Sequence, residues 1–218
     1  MKVKHASGAS LEQLLKIDDG VWGQSEVGLL KLQGTPAAMQ PTAAIRNTWE
    51  KKKIGATDKV DVRALHNGEV LAFHLSWTDK NHNVDHGDNS RWPDAAAIAL
   101  PLHEGSQLMT MGAQGAPLAI WYWRADSGSQ GYQVVAQGPG TSQIVDTTQV
   151  KTAAAWKDGK WQVVIARPLK GAESPNIIKL EAGQATKYGV AIWEGGSQER
   201  GGLKSYSGDW QTLEIAGA

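Results

Sequence analysis

Two segments far apart in the chain carry side chains able to bind a metal. One is Leu108-Met109-Thr110-Met111-Gly112, running into the strand-like Pro117-Leu118-Ala119-Ile120-Trp121-Tyr122-Trp123. The other is Gly201-Gly202-Leu203-Lys204-Ser205-Tyr206-Ser207. Met111 and Lys204 offer a thioether and an amine, two groups that could hold an iron from opposite sides. The chain has no cysteine, which excludes thiolate ligation and covalent attachment through C-x-x-C-H. Spacing alone leaves the pair open, because Met109, Met39 and Lys31 carry the same atoms.

Histidine offers less. His82 and His86 lie in the polar run Asn81-His82-Asn83-Val84-Asp85-His86-Gly87-Asp88-Asn89. An i, i+4 pair suits zinc on a helix, but Gly87 and the asparagines argue against a helix here. The carboxylates and amides point towards calcium, yet the alternating spacing of an EF-hand loop is missing, so the run reads as a solvated loop. Hydrolytic machinery is not apparent either. There is no G-x-S-x-G elbow, no P-loop and no strand-linked G-x-G-x-x-G. Gly112-Ala113-Gln114-Gly115-Ala116-Pro117 leads into a strand and so lacks the helix N-terminus that cradles phosphate.

The elements that must position these side chains read as mostly β. Candidate strands are Val27–Leu32, Val60–His66, Glu69–Trp77, Ala95–Leu100, Leu118–Arg124, Tyr132–Gln137, Thr152–Trp156, Trp161–Pro168, Tyr188–Trp193 and Trp210–Ile215, bounded by Gly, Asn, Asp or Pro. In the third, Leu71, Phe73, Leu75 and Trp77 alternate with Ala72, His74 and Ser76, the pattern of a half-buried strand. Asn67-Gly68 and Asp158-Gly159 mark two hairpins and tolerate the positive φ angles of a type I′ turn. Ser10 caps a candidate helical turn at residues 11–17, and Ala43–Lys53 is a second candidate. Regularly spaced short strands with such turns predict an all-β, single antiparallel β-sandwich with a few short helices, spanning residues 1–218 as one domain.

Bulk properties narrow the function classes. Lys and Arg number 22, as do Asp and Glu, so no basic surplus points to nucleic acid and no charge block to an anionic membrane. No apolar run approaches the roughly 20 residues of a membrane span. Met1-Lys2-Val3-Lys4-His5 has no apolar h-region, so no secretory signal is read there. Ten Trp against one Phe suit pocket walls and interfaces as well as cores; Trp121 and Trp123 are placed equally by any of these.

Several segments together resemble one family. Met111-Gly112, its Gly/Pro loop and Ile120-Trp121-Tyr122-Trp123-Arg124-Ala125-Asp126 are similar to the haem-binding γ subunit of periplasmic molybdenum enzymes of the dimethyl sulfoxide reductase family. That group includes ethylbenzene dehydrogenase, dimethyl sulfide dehydrogenase, selenate reductase and chlorate reductase. Trp92-Pro93-Asp94 through Pro101 resembles its strand ahead of the ligand loop, and Ala155-Trp156-Lys157-Asp158-Gly159-Lys160-Trp161 through Leu169 its Gly-turn hairpin. Val190-Ala191-Ile192-Trp193-Glu194-Gly195 through Trp210 resembles its final ligand segment.

The resemblance implies one noncovalent haem b held between a Met placed directly before a Gly and a Lys. On this chain those are Met111 and Lys204, with Arg91, Arg124 and Arg200 as candidate partners for the haem propionates. It also implies an iron–sulfur β subunit, a molybdopterin-containing α subunit, and a periplasmic cytochrome c as electron donor or acceptor. The chain itself would be a non-catalytic electron relay in the periplasm. A thioether favours ferrous iron, and a lysine amine ligates only when deprotonated, which burial against porphyrin favours. Two readings compete: a carbohydrate-binding module of related sandwich fold using Trp as sugar platforms, and a stand-alone haem sensor or carrier.

Overall fold

The computed structural model describes residues 1–87 and 90–218; Asp88 and Asn89, the end of the polar His82–Asn89 run, lie outside them. The strands are β1 (Lys2–His5), β2 (Gly28–Lys31), β3 (Gln33–Gly34), β4 (Lys59–His66), β5 (Val70–Thr78), β6 (Ala95–Pro101), β7 (Leu118–Arg124), β8 (Tyr132–Ala136), β9 (Gln143–Asp146), β10 (Lys151–Lys157), β11 (Lys160–Pro168), β12 (Ala185–Trp193), β13 (Ser205–Tyr206) and β14 (Gln211–Ile215). Two short helices, α1 (Leu11–Leu15) and α2 (Ala43–Trp49), accompany them.

The strands form two layers. One runs β10-β11-β5-β4 with β2 beside β4; the other runs β14-β12-β6-β7-β8-β9, with the β13–β3 pair beside β12. All pairings within the layers are antiparallel, as the sequence predicts. β1 is the exception. It pairs in parallel with β14 through Lys2 and Val3, then in parallel with β4 through Lys4 and His5. It therefore crosses between the layers and joins them into one continuous path.

Between the layers lies the main core. Phe73, Leu75 and Trp77 of β5 and Val163 and Ile165 of β11 face Ile98 of β6, Trp121 and Trp123 of β7 and Val190 of β12. Burying a large apolar side chain stabilises by roughly 1.5–3 kcal/mol, so this packing holds the sandwich shut. Trp121 and Trp123 are almost wholly buried here, the ring of Trp123 meeting that of Trp161 at 5.0 Å. That assigns both to the core.

The outer faces decide the rest. β5 is buried on both faces, contrary to the half-buried expectation. The reason is tertiary: Leu14 of α1 and Trp22 of the 3-10 turn Gly20–Gln24 cover Ala72, Ala166 and Val164. Ser10 caps α1 through a capping box with Gln13, as its sequence predicts. Of the two hairpins, Asp158-Gly159 has both residues at positive φ (53° and 73°), whereas at Asn67-Gly68 only the glycine does (94°). The Asn67 side chain instead accepts from the amides of Glu69 and Val70, shaping a longer turn.

Candidate functional site

The outer face of the second layer carries the hollow. Along β6 the alternation sends Ala96, Ile98 and Leu100 into the main core and Ala95, Ala97 and Ala99 outward. Small side chains at these outward positions leave space above the sheet. Ile120 and Tyr122 of β7, Val134 of β8 and Ala191 and Trp193 of β12 extend this apolar floor. Residues 35–41, 108–111 and 139–144 rise around it, enclosing a cavity of about 340 Å³. Clefts of this size with apolar walls and few polar groups are typical small-molecule and cofactor sites.

Two polar-ended side chains converge on this cavity, and both were singled out from sequence. The amine Nζ of Lys204 lies 3.1 Å from the thioether Sδ of Met111. Lys204 is 6% exposed. Burial lowers its ammonium from 10.5 to about 8, because a charge is poorly solvated there and no carboxylate compensates it. The Trp193 ring, with its centroid 5.2 Å from the amine, supplies the nearest π face.

Backbone geometry holds each donor in place. Met111 sits at φ 55°, in the left-handed region, and Gly112 follows at φ 80°. A Cβ on Gly112 would lie 2.9 Å from the carbonyl oxygens of both Ala116 and Ala136, so only glycine fits. Hydrogen bonds from Met111 N to Leu108 O, from Gly112 N to Gln107 O and from Gly138 N to Met111 O lock the turn. A non-glycine residue at positive φ is a strained feature that the surrounding structure must hold, and such features cluster at functional sites.

Lys204 is strapped in a comparable way. Thr35 N donates to Lys204 O, while the Thr35 hydroxyl donates to Gly202 O and accepts from Lys204 N. The buried Gln40 amide also donates to Gly202 O. Trp193 Nε1 donates to Gly201 O at 3.0 Å, tying the turn before Lys204 to the cavity wall.

The other predicted candidates divide between the cavity and elsewhere. Met109 does not share a strand face with Met111. Residues 108–111 form a turn, and Met109 is 53% exposed at the rim. Met39 also lines the cavity, whereas Arg91, Arg124 and Arg200 do not; Arg124 pairs with Asp126 and Arg200 lies over Trp92. Lys204 is the one basic side chain on the cavity wall among the described residues, and no carboxylate or imidazole joins it there. His82 stacks on Trp156 and His86 packs edge-on against Trp92.

Sequence reasoning missed Thr35, Gln40, Trp193 and the alanine floor. The repeated Ala at every second position of Ala95-Ala96-Ala97-Ile98-Ala99 is the one local signal for such a hollow.

A thioether and a largely buried amine over an apolar slot fit a flat, hydrophobic, metal-bearing ligand better than a polar one. The two donor atoms touch. A metal held by both would have to part them. The long flexible stems of both side chains permit that displacement. Sugar stacking lacks platforms, since seven of the ten Trp are buried and the other three are only partly exposed.

The sequence profile of the ethylbenzene dehydrogenase family matches residues 19–144 and 139–205. A Haloferax mediterranei protein assigned as a respiratory nitrate reductase heme subunit is 29% identical over 176 residues, covering 80% of this chain and 62% of that one. The chlorate reductase subunit gamma of Ideonella dechloratans is 32% identical over 163 residues, covering 73% of this chain and 66% of that one. The chain thus spans just under two thirds of the length of these relatives. Among solved structures, a family 9 carbohydrate-binding module from Caldicellulosiruptor kristjanssonii with cellotriose has a TM-score of 0.52 at 8% identity, covering 100% of this chain and 95% of that one. At such low identity the likeness is one of fold alone.

Proposed function

Because this chain belongs to the ethylbenzene dehydrogenase family, we propose that it is a haem-binding electron-transfer subunit of a molybdenum-enzyme complex. One noncovalent haem b would sit in the 340 Å³ cavity, with Met111 and Lys204 as axial ligands, in a single domain formed by residues 1–218. The observation that carries this reading is the convergence of Lys204 Nζ and Met111 Sδ, 3.1 Å apart, over an apolar floor. The names of the relatives, a heme subunit and a γ subunit of reductases, support the same assignment.

When bound, the haem supplies a one-electron ferric/ferrous couple. The chain's own residues do the rest. Met111 presents a soft, neutral sulfur that favours the reduced metal and raises its potential. Lys204 presents nitrogen once its proton leaves, and a burial-lowered proton affinity eases that loss. Ala97, Ala99 and Ala191 offer a surface on which a planar ring can lie. With Met111 and Lys204 both holding the iron, no protein-side position would be left open for substrate, which would suit relay and not catalysis.

The same reading assigns the partners: an iron–sulfur β subunit, a molybdopterin-containing α subunit and a periplasmic cytochrome c that gives or takes electrons. Among the described residues no helix is long and apolar enough to cross a membrane. The direct test is to add haemin to the purified chain and record its visible spectrum. A sharpened Soret band, reducible with dithionite and yielding the pyridine haemochrome of haem b at one per chain, is expected. A chain that stays colourless after haemin addition and gel filtration would overturn the proposal.

A further inference from the structure

Three carboxylates meet at one end of the sandwich, outside the cavity described above. Asp79 follows β5, Asp94 precedes β6 and Glu194 follows β12. They are 4%, 0% and 7% exposed, and one oxygen of each lies within 4.8 Å of the others. Like charges this close and this buried demand compensation.

The surrounding donors do not supply it. Asp94 accepts from the amides of Asn83 and Gly195 and from Trp161 Nε1. Glu194 accepts from Gly196 N and the Asn81 side-chain amide. All of these donors are neutral, and none of the three carboxylates joins an ion pair among the described residues. Asp79 Oδ1 accepts from the amide of Asn81. Its Oδ2 is buried and makes no hydrogen bond, with the equally unpaired Trp77 indole N–H as the nearby neutral donor.

We propose that Asp79, Asp94 and Glu194 bind one calcium ion that fastens the connection between β5 and β6 to the turn after β12. The donor set is oxygen only, which selects a hard cation over zinc or copper. Calcium bonds of about 2.3–2.6 Å and an irregular shell suit three carboxylates up to 4.8 Å apart. Magnesium prefers to keep several waters and few carboxylates. A cavity of about 430 Å³ lined by Asp79, Asn81 and Glu194, and also by Lys53, Lys59, Lys80 and Lys160, opens beside the cluster; none of these amines forms an ion pair with its three carboxylates.

The bond network shows what the ion would hold. Glu194 opens the turn Gly195–Ser197. Just beyond that turn Glu199 accepts from Glu194 N and from the amides of Gly55 and Ala56. The same stretch continues into the segment bearing Lys204. Calcium would therefore brace that segment from behind, whether or not haem is bound.

The competing occupant is a proton on Asp79, whose carboxyl is pushed up to about 7 by burial and by Asp94 and Glu194. Calcium titration of the chelator-stripped chain separates the two. Calorimetry and metal analysis should give one calcium per chain, and saturating calcium should raise Tm by about 5–10 °C, with much less from magnesium. Asp79→Asn should weaken calcium binding at least about 10-fold. If that variant does not fold, Glu194→Gln offers the same comparison at the most exposed member. Absence of calcium uptake and of any Tm change at millimolar calcium and pH 7.5 would overturn the proposal and leave the proton as occupant. The titration needs no haem, so its failure would leave the haem assignment standing.

Discussion

The amine of Lys204 and the sulfur of Met111, 93 positions apart in sequence, touch at 3.1 Å on the cavity wall. One belongs to a turn strapped by Thr35 and Gln40, the other to a turn locked by Gly112. Neither turn contains both atoms, so their meeting depends on the loops above the second layer packing together.

Removing either proposed ligand should be visible in the haem spectrum. Lys204→Leu and Met111→Leu should each convert a low-spin six-coordinate haem to a high-spin or mixed species. The haem-free chain should respond differently. At pH 7, Lys204→Leu should be more stable than the parent, because it removes a buried ammonium whose proton affinity is lowered to about 8. The gain should be on the order of 2–3 kcal/mol, largest below pH 8 and shrinking as pH rises towards 10.5, where the unfolded lysine also loses its proton. Urea unfolding of both chains at pH 7 and pH 10 checks the sign.

Gly112→Ala should displace Met111. Its Cβ would meet two carbonyl oxygens at 2.9 Å in a backbone conformation with φ 80°. A loss of about 2–4 kcal/mol is expected from strain and steric conflict. Denaturant midpoints measure it, and haem uptake should fall with it. An unchanged midpoint would mean that the turn is looser than its hydrogen bonds imply.

Filling the floor should block the ligand without harming the fold. Ala99→Leu adds volume where the cavity is open, opposite Ile120 and Gly189 in the register. Stability of the haem-free chain should hold or rise slightly, while haem affinity should drop at least about 10-fold. Haemin titration of the two chains compares them directly.

Acid should loosen the first layer through His74. Burial, with Arg63 nearby, lowers its imidazole from 6.5 to about 4, and Trp22 packs on the ring at 5.1 Å. Between those values the unfolded chain binds a proton that the folded chain refuses. Stability present above pH 6.5 is therefore lost progressively as pH falls towards 4, by on the order of 2–3 kcal/mol. Urea midpoints at pH 7.5, 5.5 and 4.5 should decline, and His74→Gln should flatten the decline.

Local patterning determined much of the fold. Alternating apolar residues, Asp158-Gly159 and the Ser10 cap placed the longer strands, a hairpin and α1 close to where they stand, because each depends on near neighbours in sequence. The motifs around them also singled out Met111 and Lys204, and the fold brings the two side chains together. Four short strands were not. β1 reads as the charged run Lys2-Val3-Lys4-His5, and only its parallel pairing to β14 and β4 makes it a strand. β3 and β13, two residues each, pair with one another from opposite ends of the chain, and β9 joins its neighbour β8 only across an irregular register. The tertiary structure alone decided that β5 is covered on both faces, that Trp121 and Trp123 are core, and that an alanine face forms a floor. It also decided that Asp79, Asp94 and Glu194 come within 4.8 Å, although the last two are 100 positions apart. Such contacts arise from the stacking of layers and the closing of long loops, which no periodicity within one segment encodes.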